Sequence, residues 1–212
     1  MNHYLVAAVW LLVGAAAGYG QRHLSVWLAR LEELEPGFRP WQVWGPVIVT
    51  AALFAAFGWR LGATLTLLIV SLWVWVLVQV IFFDLEHRLI LDHLMFPSYA
   101  AALILSIWTP HLGWKQALIT GVVAGAVFLA LAVLGALFFR AEVLGMGDVK
   151  LAVFLGLVLG FSGTLNALLL GVILAGVISI ALIVVRVKRL KDTIAYGPYL
   201  AAGALIILFN RG

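Results

Sequence analysis

The chain has 212 residues, of which 65% are apolar and 10% charged, with a formal net charge of +4. A soluble domain has about 45–50% apolar and about 25% charged residues, so a soluble globular domain is excluded. Disorder, which needs low hydrophobicity, and a DNA-binding domain fall with it despite the basic balance. There is no Cys, which rules out disulfides, thiolate zinc sites and cysteine nucleophiles. What remains is an all-α, polytopic membrane protein in contact with the lipid bilayer and with no nucleic-acid partner.

A spanning helix needs about 20 mostly apolar residues. Apolar runs predict eight transmembrane helices, at 4–20, 43–58, 61–83, 94–110, 116–139, 151–165, 166–185 and 194–210. They are apolar all round and lack the alternation of barrel strands. The first has no basic region before it and reads as a retained span, not a signal peptide. The second is short and carries Pro46; the sixth and seventh abut at Phe161-Ser162-Gly163. Small residues four apart, as in Gly121/Gly125 and Gly156/Gly160, suit close helix packing. The segment 21–42 reads as a short loop, with Glu32, Glu33 and Glu35 as a solvated helix end within one integral-membrane domain over 1–212.

With eight spans, 10 of the 13 Lys and Arg fall on one side, and all 9 acids share it. The positive-inside rule makes that side cytoplasmic and both termini external. The basic run Arg186-Val187-Lys188-Arg189-Leu190-Lys191 fits this side, where anionic headgroups attract it. Trp near the segment ends fits an aromatic belt.

Two places bring acids to helix ends at the inner face: Phe83-Asp84-Leu85-Glu86-His87-Arg88 and Gly145-Met146-Gly147-Asp148-Val149-Lys150. An ionisable group at that depth is expensive unless it pairs, faces water or works. Asp at a helix start is also a good cap. Gly145 and Gly147 before Asp148 suggest irregular backbone beside another chain, and G-M-G-D-V-K lacks the spacing of a phosphate loop. Two neighbouring carboxylates share a proton, so that one acts as base toward water and the other as acid toward the carbonyl. A metal site at Glu86, His87, Asp92 and His93 lacks a clean ligand spacing. No metal and no cofactor are expected.

These residues carry a resemblance. Phe83-Asp84 with Ile90-Leu91-Asp92-His93-Leu94-Met95-Phe96-Pro97 is similar to the first aspartate motif of the type IV prepilin peptidases, which are membrane aspartyl proteases of the GxGD type. Gly145-Met146-Gly147-Asp148-Val149-Lys150-Leu151 resembles their G-x-G-D-V-K-L motif, and Tyr196-Gly197-Pro198-Tyr199-Leu200-Ala201-Ala202-Gly203 a third stretch near the C-terminus. The three stand in family order. The resemblance implies Asp84 and Asp148 as catalytic aspartates, Gly145, Gly147 and Lys150 in the active-site loop, and a multi-pass protein of the inner membrane. It further implies cleavage of a basic leader from prepilins or pseudopilins at the cytoplasmic face. Asp92 matches a motif acid not usually assigned to catalysis, and Glu86 and Glu142 read as surface acids.

The chain departs from the family pattern at Leu91, usually Pro, and at Met95, usually Thr. Bifunctional members carry a longer domain after the first span, with two C-x-x-C pairs. This chain has no Cys, so N-methyltransferase activity is not expected. Two rival readings are a proton-coupled transporter using the Asp pair and a presenilin-like intramembrane protease. The first wants acids near mid-bilayer and matching broken helices. The second wants a Pro-Ala-Leu motif, where Gly197-Pro198-Tyr199-Leu200 stands instead. The sequence leaves the oligomeric state and the particular prepilin open.

Overall fold

A computed structural model describes residues 2–109, 112–139, 144–185 and 196–211, and the secondary structure among them is entirely helical. Among the described residues seven helices follow one another: α1 (His3–Leu31), α2 (Pro40–Leu61), α3 (Leu65–His87), α4 (Asp92–Leu105), α5 (Trp114–Phe139), α6 (Met146–Val184) and α7 (Gly197–Arg211). Five of them, α1, α2, α3, α5 and α6, are long and apolar enough to cross a membrane. The chain forms two compact units, Met1–Leu89 with Leu208–Gly212, and Ile90–Ile207.

In the first unit, α1, α2 and α3 pack together, and α3 is the most buried of the long apolar helices. Local signals start and stop them. Asn2 caps α1 by accepting from the Tyr4 N–H, and Thr64 caps α3 by accepting from the Leu67 N–H. Pro40 occupies the first position of α2, where its missing N–H costs nothing. Pro46 lies inside α2 without ending it. Polar side chains inside the unit are matched across helices, since lipid offers no partner. Thr50 donates to Gln21 Oε1 (2.7 Å), Gln21 donates to the Trp75 carbonyl (2.7 Å), Gln79 donates to Ser25 (2.8 Å) and Trp10 to Ser71 (2.9 Å).

In the second unit, α5 packs along α6 at a small-residue contact. A Cβ on Gly156 would lie 2.6 Å from Gly121 Cα, so only Gly lets the two backbones approach this closely. The start of α7 packs on the later half of α6 in the same way, with a Cβ on Gly171 falling 2.7 Å from Leu200 Cα. The third sequence motif is thus a helix-packing surface, with Leu200 and Ala201 buried.

Several boundaries differ from the sequence expectation. The 21–42 loop is much shorter: α1 continues to Leu31 and buries Gln21, Arg22, Ser25, Leu28 and Ala29, leaving Glu32–Arg39 as connector. Glu32, Glu33 and Glu35 are exposed there, as read. The predicted span 94–110 shrinks to a 14-residue α4, because the chain turns after Leu105. At 1.5 Å per residue that is about 21 Å, short of a hydrocarbon core of about 30 Å. The two predicted segments 151–165 and 166–185 form one element, broken not at 161–163 but at Gly160 (φ 64°, ψ 178°). Those angles are open to Gly and closed to nearly every other residue. Thr164 Oγ1 lies 2.7 Å from the Gly160 carbonyl and 3.1 Å from that of Leu155, supplying a donor where the helical ladder is interrupted. Arg140, Glu142, the basic run 186–191, Asp192 and His111 lie outside the described residues.

Candidate active site

Asp84 sits in the last turn of α3 and is 5% exposed. Its carbonyl accepts the Arg88 N–H (2.8 Å), and Arg88 closes the helix in the left-handed region at φ 56°. A non-Gly residue there is uncommon and strained. The helix therefore stops abruptly, one turn beyond a buried acid.

Glu86, in the same turn, is not the surface acid expected from the sequence. Its side chain is 6% exposed and lies 3.5 Å from Arg22 of α1, itself 9% exposed at the side chain. The Gly37 N–H donates to Glu86 Oε1 (2.6 Å), while Arg22 donates to the Gly37 carbonyl and lies over the Phe38 ring. His87 Nε2 stands 3.4 Å from Glu86 Oε1, and its ring lies against Phe83. Arg22, Gly37 and Phe38 were invisible as a group in the sequence. A charged residue just past an apolar run is ordinarily solvated, and its partner here lies on another helix.

In the second unit, Asp148 occupies the first turn of α6, 8% exposed, and its N–H donates to the Gly145 carbonyl (3.1 Å). The two glycines play different parts. Gly145 is the helix N-cap, in extended backbone that any residue adopts (φ −75°, ψ 149°). Gly147 is already within α6 and serves close packing, since a Cβ there would fall 3.1 Å from Ile90 Cβ. The irregular backbone expected of this Gly-x-Gly is therefore confined to one residue. Lys150 pairs with Asp92 at the start of α4 (Nζ to Oδ1 2.6 Å), and the Tyr99 hydroxyl donates to the Lys150 carbonyl (2.8 Å). The lysine of the second motif thus holds an acid of the first. Tyr99 was missed, because only its contact distinguishes it from the other aromatics. Among the described residues no three His, Asp or Glu gather in a group able to hold a metal ion.

An all-α multi-pass membrane protein with a buried aspartate at the end of one helix and another at the start of a second is the class these observations define. The type IV leader peptidase family matches over residues 68–180, a stretch that includes both aspartates. The chain belongs to that family. Curated relatives include the prepilin leader peptidase/N-methyltransferase of Legionella pneumophila, 29% identical over 76% of this chain and 56% of the relative. That of Bacillus subtilis (strain 168) is 31% identical over 75% of this chain and 62% of the relative, and that of Pseudomonas putida 29% identical over 76% and 56%. The chain thus spans about three-fifths of the length of these relatives. No solved structure matches.

Proposed function

We propose that the chain is a membrane aspartic endopeptidase that removes the short basic leader from type IV prepilins or prepilin-like proteins, at the cytoplasmic face of the inner membrane. The observation that carries this reading is the burial of Asp84 and Asp148, each at a helix end, within the residues matched by the leader peptidase family. Placement at helix ends also speaks against a mid-bilayer proton relay, which needs acids near the centre of spans.

In this mechanism one aspartate is ionised and the other protonated, because two carboxylates at close range cannot both hold charge. The ionised carboxylate takes a proton from water as the oxygen attacks the scissile carbonyl carbon. The protonated one donates to the carbonyl oxygen. Collapse of the tetrahedral species breaks the C–N bond, the amine leaves with the proton taken from water, and the leader departs with a new carboxylate. The substrate's apolar helix lies in the bilayer among the spans, bringing its cytoplasmic end to the dyad. The acidic pair needs no Lewis acid, and N-methylation of the product is not part of the reading, since the Glu32–Arg39 connector contains no Cys for a zinc-stapled domain.

The test is co-expression with a prepilin carrying a short basic leader, read by electrophoretic mobility and by mass spectrometry of the trimmed product. A mature-length product that depends on this chain is the expected result. Unprocessed prepilin across a panel of pilins and pseudopilins counts against the reading.

A further inference from the structure

Glu86 is placed where a carboxylate is disfavoured. It lies in the last turn of α3, and the C-terminal end of a helix carries partial negative charge that repels an anion. Its side chain is also withdrawn from water, at 6% exposure. Two groups offset that cost: the Arg22 guanidinium and the Gly37 N–H. Arg22 in turn donates to the Gly37 carbonyl, so one residue of the connector, Gly37, is held at both its N–H and its carbonyl. The same connector carries Phe38, exposed at its ring but covered on one face by Arg22 at 5.3 Å from the centroid. Glu86 lies within the turn closed by the bond from the Arg88 N–H to the Asp84 carbonyl. A short, strained helix end is thereby fastened to a different helix and to a loop.

We propose that Glu86 is a positioning residue: with Arg22 it clamps the Glu32–Arg39 connector onto the end of α3 and so fixes the backbone that carries Asp84. Residues two apart on a helix do not face each other, so Glu86 acts through the turn and not by touching the Asp84 carboxylate. The inference rests on the reading of Asp84 as a reacting group. Its consequence is steep, since misplacing a reacting group by about 1 Å costs about a hundredfold in rate.

Two measurements test it. In the first, prepilin cleavage is followed for Glu86→Gln, which keeps an acceptor for Gly37 but loses the charge, and for Glu86→Ala, which loses both. Expected values are a kcat lower by about tenfold and about a hundredfold respectively, with KM for prepilin within about twofold of the parent. In the second, the Cys-free chain receives spin labels at Glu35→Cys and Leu85→Cys, both exposed positions of the connector and the α3 end. The distance distribution should be narrow in the parent and broad with Glu86→Ala. A distribution that stays narrow, or a kcat within twofold of the parent for Glu86→Ala, overturns the proposal. Asp84→Asn serves as the separate control. If it cleaves normally, the role given to Asp84 fails and takes the catalytic consequence with it, while the spin-label result still decides whether the clamp exists.

Discussion

Lys150 Nζ lies 2.6 Å from Asp92 Oδ1, which ties the fifth residue of α6 to the first residue of α4. Both side chains are partly exposed, at 31% and 48%, so the pair is worth at most about 1 kcal/mol to stability. If Asp148 reacts as proposed, the pair's weight is in orientation: Lys150 is two residues past Asp148, and its carbonyl is also held by Tyr99. Lys150→Ala and Asp92→Ala should each slow prepilin cleavage by about tenfold while the melting temperature in detergent barely moves, as expected for a surface pair. The exchanged pair Lys150→Asp with Asp92→Lys should recover most of the rate. A swap no better than either single variant argues that the charges do not act on each other.

On the proposed mechanism, Asp84→Asn and Asp148→Asn each remove one of two distinct proton-transfer roles. Each should lower the rate by about a hundredfold to ten-thousandfold, the usual value of a general acid or base, while membrane insertion is unchanged. Pulse-labelled processing of prepilin, with the variants' abundance checked in the membrane fraction, measures this. Near-parental cleavage by either variant would remove it from the dyad.

Gly160→Ala should destabilise the second unit by about 1–3 kcal/mol, because its φ of 64° with ψ of 178° is strained for any residue with a Cβ. The added methyl would also fall 2.8 Å from Leu112 Cδ1. A thermal melt in detergent reads the loss. An unchanged midpoint would mean that α6 runs straight through this position.

On the proposed reading, the purified chain with prepilin and S-adenosylmethionine should release a trimmed pilin bearing a free α-amino group, since it has no Cys for a zinc-stapled domain. Mass spectrometry of the new N-terminus decides the point, a gain of one methyl group from this chain alone being the contrary result.

Much of the fold was legible because a bilayer imposes long apolar runs, and α3 or α5 can be read from composition alone. The differences between sequence and structure have physical causes. Gly160 breaks α6 by its backbone angles, which apolarity does not encode, so the sequence pattern sets the boundary a few residues late. Ile107 and Trp108 are as apolar as the helix before them, yet the chain already turns there, and α4 came out too long. At the site, Asp84 and Asp148 stood out as acids at the ends of apolar runs. Glu86 shared that position and was misread, because its burial depends on Arg22, which is distant in sequence and brought near by the packing of α1 on α3.

The bond from Thr50 to Gln21 to the Trp75 carbonyl has a consequence for biogenesis. Each helix enters the bilayer before it finds its neighbours, and a glutamine carried into hydrocarbon is a cost until it is matched. While only α1 and α2 have left the translocon, the Gln21 amide lacks the acceptor that α3 supplies. The Gln21 amide therefore gains its acceptor only once Trp75 of α3 has joined α1 and α2.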